Sequence, residues 1–445
     1  MNNNIIYVCT VSGFNVAELE ACLFHKPKHI ILIVSDSKFI EDKAKLLQGT
    51  LEKELTDSCF YRLDSKTTKS KLHGNDIENA IEWINGVLAP KITEIKQTSS
   101  ASIPLYLNST GGTKAMLMAL LTSVQWDKID YTPSERNKIQ SITPDFTTLP
   151  NPAAFTEIEK SKVKSATAIQ AASLYATEVK QSALNSVSQY PSSLKIAQSI
   201  WDKLTTTDPE ILGLLNILNT LWSDKEFNDS YKHWTWIELE NTLNADSDLN
   251  DLSHQDIQTI FTEIFLPLYQ DYAETVSANT KKPISLIIDE QGIQLPSNNK
   301  DYKAIREWIK GFWLEQLVFS WILESDIPAT QVAQSLTAGS SKDSNLQREA
   351  DIFIHHKNTS YIIEIKADLP EGKKVQDFEQ QLNSLKDRFG RTKKILFVGA
   401  KLSKELRARP EKWKSFDLRC KTAGISLCDN KENLLTALGL HSLKN

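Results

Sequence analysis

The first 150 residues alternate apolar runs with amphipathic stretches. Continuous apolar runs are typical of strands buried on both faces, and the stretches between them have helical spacing. The strands are expected at 4–10, 29–34 and 103–108, and the helices at 16–24, 38–55 and 76–88. Strands that alternate with helices favour a parallel Rossmann-like sheet, in which ligands bind at the carboxyl ends of the strands. We therefore expect an α/β domain over residues 1–150.

The pattern changes after this domain. Residues 152–278 form acidic helical segments with no apolar strand run, which predicts a helical middle region over 151–282, either a small helix-turn-helix unit or a spacer. Strands return after residue 283, and the order that follows indicates one compact α/β domain over 283–445. Its elements are expected at 284–289, 292–295, 302–323, 350–355, 361–366, 375–388, 394–398 and 424–428.

Composition narrows the class of protein. The chain has 445 residues, with 40% hydrophobic and 24% charged residues, which is typical of a globular protein of two to four domains. Its five cysteines include no C-x-x-C pair, so neither a disulfide framework nor a zinc site is encoded and a cytoplasmic location is expected. No apolar run approaches 18 residues and the N-terminus has no basic region, so we expect neither secretion nor a membrane span.

Charge is segregated along the chain. The formal net charge of -5 argues against a nucleic-acid partner when it is taken alone. Residues 371–421, however, contain 15 Lys or Arg against 7 Asp or Glu, whereas residues 151–260 contain 8 against 15. A basic run is usually a solvated surface, but this one lies beside a group of chemically suggestive residues.

A glycine-containing loop follows the third apolar strand. Its residues are Asn108, Ser109, Thr110, Gly111, Gly112, Thr113 and Lys114, and a helical pattern begins after them. Glycines allow close backbone approach, the helix N-terminus offers free N–H groups, and Lys114 adds a positive charge. The loop therefore favours an anionic ligand, although an empty structural turn fits the local sequence equally well. Its spacing is neither that of a P-loop nor that of a dinucleotide-binding loop.

In its place after a strand of a Rossmann-like domain, this loop resembles the signature of CARF domains, the CRISPR-associated sensors of cyclic oligoadenylates. The resemblance implies a second ligand loop after the first strand, formed here by Thr10, Val11, Ser12, Gly13, Phe14 and Asn15. It also implies a homodimer that encloses the ring-shaped effector, with cyclic tetra-adenylate as the expected ring. One surface used twice suits a symmetric ligand.

The sharpest chemical signal is the sequence Tyr361-Ile362-Ile363-Glu364-Ile365-Lys366. Side chains alternate faces along a strand, so Glu364 and Lys366 point the same way. A hairpin centred between Lys357 and Asn358 sets Asp351 opposite Glu364 and Glu349 opposite Lys366. Carboxylates so opposed lie about 4.5 to 5.5 Å apart at Cβ and repel each other unless a cation separates them. Oxygen ligands favour Mg²⁺ or Mn²⁺, which would activate water for phosphodiester hydrolysis while Lys366 neutralises phosphate or orients the nucleophile. A plain surface ion ladder is the alternative.

The arrangement resembles the PD-(D/E)XK nuclease fold, in which a helix acid, a hairpin aspartate and an E-x-K strand form the site. The resemblance implies that Glu315, on the helix before the hairpin, joins Asp351 and Glu364 as a metal ligand and that Lys366 completes the catalytic set. Residue 350 is alanine where the family has proline. Gln380 and Gln381 on the next helix are further candidates, and the neighbouring pair His355 and His356 is expected to be in the turn.

Together the two resemblances cover about 300 of the 445 residues and imply a nuclease of type III CRISPR defence that a cyclic oligoadenylate activates. Its substrate would be single-stranded DNA or RNA, or duplex DNA that it nicks. Two alternatives stay open. One is a nucleotide-sensing, DNA-binding transcriptional regulator without cleavage, and the other is a restriction-like enzyme whose N-terminal domain only dimerises.

Overall fold

The computed structural model describes the chain in segments. The described residues are 3–99, 102–132, 138–144, 155–159, 165–176, 178–181, 191–206, 233–244, 255, 258, 262, 287–288, 290–294, 308–340, 343–357, 359–367, 375–389 and 392–440. Within them, no helix is both long enough and apolar enough to cross a membrane.

The first sheet has seven strands in the order β3-β2-β1-β4-β5-β6-β7. The strands are β1 (Asn3–Thr10), β2 (Pro27–Ile33), β3 (Cys59–Leu63), β4 (Leu105–Asn108), β5 (Lys128–Tyr131), β6 (Lys138–Ile142) and β7 (Phe155–Glu159). The first five are parallel to one another, and β6 and β7 extend the sheet in antiparallel pairing. The predicted Rossmann-like parallel sheet is confirmed, with β3 and β5 added.

Helices cover this sheet. They are α1 (Val16–His25), α2 (Lys38–Glu54), α3 (Ser65–Thr68), α4 (Ile77–Trp83), which continues through a π-helical turn (Ile84–Leu88) into α5 (Ala89–Gln97), and α6 (Lys114–Ser123). Strand β1 lies between β2 and β4, so the chain direction across the sheet reverses at this point. The loops after β1 and β4 therefore meet at one edge of the sheet, at the switch point where α/β proteins bind ligands.

The second sheet has six strands in the order β16-β15-β14-β13-β12-β8. Its strands are β8 (Glu178–Gln181), β12 (Val332–Ser340), β13 (Asp343–His356), β14 (Thr359–Lys366), β15 (Thr392–Val398) and β16 (Ile425–Cys428). The helices around it are α7 (Ala168–Ser173), α8 (Pro191–Thr206), α10 (Trp313–Leu323), α11 (Val375–Phe389), α12 (Ala400–Arg407), α13 (Pro410–Thr422) and α14 (Lys431–Ala437). A π-helical turn (Trp308–Phe312) precedes α10, and a 3-10 turn (Ala329–Gln331) precedes β12.

The expectation of a purely helical region over 151–282 is corrected by its strands. β7 completes the first sheet, and β8 pairs with β12 at the edge of the second sheet. A third, three-stranded sheet joins β9 (His233–Thr235), β11 (Gly292–Gln294) and β10 (Ile287–Ile288), and α9 (Trp236–Asn244) follows β9. Short polar segments such as Glu178–Gln181 become strands because the edge of a neighbouring sheet offers hydrogen-bond partners. Such segments contain no apolar run, so the hydrophobic pattern does not predict them. The domain boundaries at 150 and 282 stay an interpretation, and most of the region expected to be a helix-turn-helix unit or spacer lies outside the described residues.

One hydrophobic core joins the two large sheets. The same cluster of buried side chains contains Leu19 of α1, Leu47 of α2, Ala171 of α7 and Phe353 of β13. Helix α7 packs against both α2 and the β12–β13 pair. The two α/β units are therefore connected through packed apolar side chains as well as through the chain.

Candidate functional site

The hairpin β13–β14 has the predicted register. Ile352 pairs with Ile363 and His356 pairs with Thr359, which sets Asp351 opposite Glu364. The backbone N–H of Ile365 donates a 2.7 Å hydrogen bond to Oδ2 of Asp351, so the aspartate is held against the E-x-K strand. The first half of the predicted constellation is therefore assembled by the sheet itself.

Glu364 is at the centre of the group. Its side chain is fully buried, and its Oε1 accepts hydrogen bonds from Nζ of Lys366 and from Nε2 of Gln381, the latter at 2.5 Å. Glu364 and Lys366 thus share one face of the strand, as the alternation of side chains predicts. Between the two candidate glutamines of α11, the structure brings Gln381 to Glu364, whereas Gln380 is exposed.

The pKa values of the acids at this hairpin are shifted by burial and by the charges of their neighbours. Burial, followed by the charge of Glu364, raises the pKa of Asp351 to about 7. Burial, followed by the charge of Asp351, raises the pKa of Glu315 on α10 to about 9. Burial alone would lower the pKa of Lys366, but Glu364 and Asp351 outweigh it and raise that pKa. The four residues of the predicted set therefore lie close to one another in the structure, since their charges interact with one another.

Glu349 is a further acid that the predicted set omits. Its charge contributes to the raised pKa values of both Glu315 and Asp351. It lies two residues before Asp351 on β13 and therefore on the same face of the strand, opposite Lys366 in the hairpin register. Strand alternation was the signal that could have added it.

The chemistry of these donors fits a divalent cation. Carboxylate oxygens are the ligands that Mg²⁺ and Mn²⁺ prefer, and acids forced together by the fold are relieved when a cation balances them. Among the described residues, however, no group of three or more His, Cys, Asp or Glu side chains has its donor atoms already converged for a metal. Lys366 and Gln381 engage Glu364 instead, so coordination would require these side chains to turn.

The two loops of the first sheet are in close contact. A Cβ atom placed on Gly111 would lie 2.1 Å from the carbonyl oxygen of Thr10 and 2.3 Å from Oε1 of Glu18, and Gly112 has a positive φ of 78°. Only glycine fits such an approach. The predicted juxtaposition of the loop after β1 with the loop after β4 is therefore present, and glycine makes it possible.

Local hydrogen bonds shape both loops. Asn108 is buried and its Oδ1 accepts from the N–H of Thr110, while Ser109 donates from its N–H and its hydroxyl to the carbonyl of Asp130. Thr113 caps α6 by accepting from the N–H of Met116, and Lys114 begins that helix with an exposed side chain. The loop thus delivers the N-terminus of α6 and one positive charge to the sheet edge.

The loop after β1 is also ordered by its own side chains. The N–H of Ser12 donates a 2.8 Å hydrogen bond to Oδ1 of Asn15, which precedes α1. Gly13 contacts the ring of Phe39 from α2, and Phe14 is half exposed, with its ring 6.3 Å from that of Tyr175. Aromatic faces therefore lie beside this predicted ligand loop.

Glu18 is a buried acid that the sequence reasoning missed. It lies on α1 under Gly111, and neither carboxylate oxygen has a hydrogen-bond partner among the described residues. Burial raises its pKa to about 8, so the group is largely uncharged at neutral pH and does not oppose an anion above it. A charged residue in an otherwise apolar helical stretch was the available signal.

The expectation that the two neighbouring histidines lie in the turn of the hairpin is wrong. His355 and His356 are the last paired residues of β13, buried to 1% and 8% exposure, and do not lie in an exposed turn. His356 bonds Gln331 and His355 bonds Ser360. His355 is buried where Oε1 of Glu20, on α1 of the first unit, lies 3.6 Å from its Nε2, and local sequence does not reveal this long-range contact.

Two solved structures share the fold of this chain over almost its whole length. The chain is similar to protein VC1899 from Vibrio cholerae, with a TM-score of 0.62 and 16% identity over 98% of this chain and 96% of that chain. It is also similar to Can2 from Sulfobacillus thermosulfidooxidans, solved in complex with cyclic tetra-adenylate, with a TM-score of 0.58 and 16% identity over 98% of both chains. No family model and no curated protein matches the chain. The similarity establishes the fold.

Proposed function

We propose that this protein is a metal-dependent nuclease of type III CRISPR defence that a cyclic oligoadenylate activates. The observation that carries the proposal is the group of Glu315, Asp351, Glu364 and Lys366 at one hairpin, in which burial and the neighbouring charges raise the pKa values of Glu315 and Asp351 and the neighbouring acids raise that of Lys366. Buried acids with perturbed pKa values beside a lysine are typical of a functional site, and metal-dependent phosphodiester hydrolysis uses such a combination. The fold shared with Can2 supports the same assignment.

Each residue of the group has a distinct part in this proposal. Asp351, Glu364 and Glu315 would hold Mg²⁺ or Mn²⁺, which when bound would supply Lewis-acid stabilisation of the charge that develops on the phosphate. Lys366 would neutralise the scissile phosphate or orient the attacking water. Gln381 holds Glu364 in its orientation, and the N–H of Ile365 does the same for Asp351.

The effector would bind at the edge formed by residues 10–15 and 108–114. The N-terminus of α6 and Lys114 favour its phosphates, and the two glycines bring the backbone within reach. We propose cyclic tetra-adenylate as the effector because Can2, which has the same fold, binds it in its solved complex.

A homodimer would enclose this effector. Helix α6 exposes Met118 and Leu121 beside the partly buried Leu117, which together form an apolar stripe, and Met118 is 57% exposed. Ile77 of α4, which packs against α6, is exposed next to it. A stripe of this kind suits a two-fold interface, because the same surface serves both subunits of a symmetric assembly.

The substrate is proposed to be single-stranded DNA or RNA, or duplex DNA that the enzyme nicks. The surplus of Lys and Arg over residues 371–421 supports a nucleic-acid partner for this unit despite the negative net charge.

The test is a cleavage assay on the full chain with Mn²⁺. Labelled single-stranded DNA, single-stranded RNA and supercoiled plasmid are each incubated with and without cyclic tetra-adenylate. We expect cleavage of at least one substrate and a strong dependence on the effector. Effector binding without cleavage of any substrate would favour the DNA-binding regulator, and cleavage indifferent to the effector would favour the restriction-like enzyme.

A further inference from the structure

Helix α1 lies between the effector loops and the proposed nuclease hairpin. Every residue from Val16 to Leu23 is buried, so the helix is packed on all sides, unlike a helix at a surface. It carries two acids, Glu18 and Glu20. Residues two positions apart are rotated by about 200° around a helix, so these two point to opposite sides. Glu18 faces Gly111 of the effector loops, and Glu20 faces the second unit.

Glu20 meets His355, the residue before the end of β13. Its Oε1 lies 3.6 Å from Nε2 of His355, and both side chains are 1% exposed. On its other side, Nδ1 of His355 is 3.0 Å from the hydroxyl oxygen of Ser360 on β14, so the ring is tied across the hairpin. The contact therefore joins a helix of the effector-binding unit to both strands that carry the proposed catalytic acids.

The separation of these two groups is longer than a hydrogen bond. Hydrogen bonds from nitrogen to oxygen span about 2.7 to 3.2 Å, and Nε2 of His355 has no hydrogen-bond partner among the described residues. A shift of α1 by less than about 1 Å would close the gap to a charge-assisted bond. Because the pair is shielded from water, its strength depends steeply on that position. An effector can bias a conformation only through a contact that differs between the two states, and a contact that a shift of less than about 1 Å would tighten is able to differ in this way.

We propose that Glu20 and His355 are positioning residues that couple effector binding to the nuclease centre. Helix α1 moves with the effector loops, Glu20 draws His355 towards it, and the hairpin β13–β14 shifts so that Asp351 and Glu364 align. The inference rests on the proposed function and adds the route by which the effector regulates the same catalytic site.

The test follows backbone amide exchange in the full chain, with and without cyclic tetra-adenylate. In the wild type we expect the effector to slow exchange in the loop 108–114 and in the hairpin 352–363, the latter about fivefold or more, the lower end of typical allosteric coupling. Glu20→Gln and His355→Gln should keep the loop response and lose the hairpin response. The double variant should lose no more than either single variant, since both changes break one contact.

His356→Gln is the matched control. This neighbouring histidine is also buried, but its Nδ1 bonds Oε1 of Gln331 at 2.7 Å within its own unit. The control should keep both responses, which separates loss of coupling from general loosening of the hairpin. The coupling is overturned if the hairpin responds equally in Glu20→Gln, or if the wild-type hairpin is silent while the loop responds. If exchange slows in neither the loop nor the hairpin, the proposed effector binding is also contradicted. The response of the loop therefore distinguishes failure of the coupling from failure of the proposed function.

Discussion

The two proposed sites of this protein are built from different groups. At the proposed effector site the backbone dominates, because Gly111 and Gly112 approach Thr10 so closely that no side chain could occupy their place. At the proposed nuclease site side chains dominate, because the fully buried Glu364 accepts hydrogen bonds from Lys366 and Gln381. The first site should therefore be sensitive to added bulk and the second to altered charge. Because of this difference, different substitutions should disable the two sites separately.

The largest effect is expected from Glu364→Gln. The variant keeps the shape of the side chain and removes the charge that would hold a metal, so cleavage should fall by about 10²–10³-fold or more. Effector affinity, measured by calorimetry, should be unchanged. Glu324→Gln is the control, because Glu324 is an exposed acid at the end of α10, paired with Lys431, and should keep full activity. Wild-type cleavage in Glu364→Gln would remove the residue from the chemistry.

Gly111→Ala should disable the opposite edge. The new methyl group would meet the Thr10 carbonyl and force the two loops apart, at a cost of about 1–3 kcal/mol, which corresponds to about 5- to 150-fold weaker effector binding. Gly49→Ala in α2 is the control, since a Cβ there meets nothing within 4 Å and should be neutral or stabilising. Equal affinity of the two variants would show that the loop contact does not shape the effector site.

Met118→Glu should weaken the proposed dimer. The charge is placed on the exposed apolar stripe of α6, so the fold should persist while the dimer dissociates about tenfold more readily, as measured by light scattering across concentrations. Thr93→Glu on the exposed side of α5 should leave the mass unchanged. A variant that stays dimeric to the same dilution as the wild type would exclude α6 from the interface.

Gln381→Ala should have a smaller effect than loss of any acid. The amide orients Glu364 without bearing charge, so its removal is expected to lower the cleavage rate about tenfold with little change in effector binding. Gln380→Ala, one residue away and exposed, should be silent. If both variants are silent, the hydrogen bond to Glu364 does not contribute to activity.

The smallest expected effect is the change in stability of the metal-free protein with pH. Asp351 and Glu315 have pKa values of about 7 and about 9, above their unfolded values near 4, so the folded state binds these protons more tightly. Stability from these groups should therefore fall as pH rises from about 4 towards 7 and beyond. In Asp351→Asn the fall in melting temperature over this range should be shallower than in the wild type, and Mn²⁺ affinity should rise with pH because binding needs ionised acids. Identical pH slopes in the two proteins would contradict the raised pKa of Asp351.

The sequence predicted those parts of the fold whose patterns are local. The apolar runs of β1, β2 and β4 identified the parallel sheet, and the hairpin centre identified the register that sets Asp351 against Glu364. Strand β12 and the edge strands β7 and β8 were not predicted, because their stability comes from neighbouring strands and their sequences lack apolar runs.

The residues of the candidate sites also differ in whether local sequence patterns predict them. Strand alternation was sufficient to group Glu364 with Lys366, and the hairpin register set Glu349 opposite Lys366, although the predicted set left Glu349 out. The positions of Glu18 and the burial of His355 depend on the packing of α1 between two units, a long-range arrangement that a single sequence does not encode visibly.

Effector activation is tested most directly when cyclic tetra-adenylate is titrated into the Mn²⁺-loaded full chain while effector occupancy and cleavage rate are measured together. We expect the rate of phosphodiester cleavage to rise in proportion to occupancy and to saturate at one effector for two chains. A cleavage rate that stays constant as the effector sites fill would contradict effector activation.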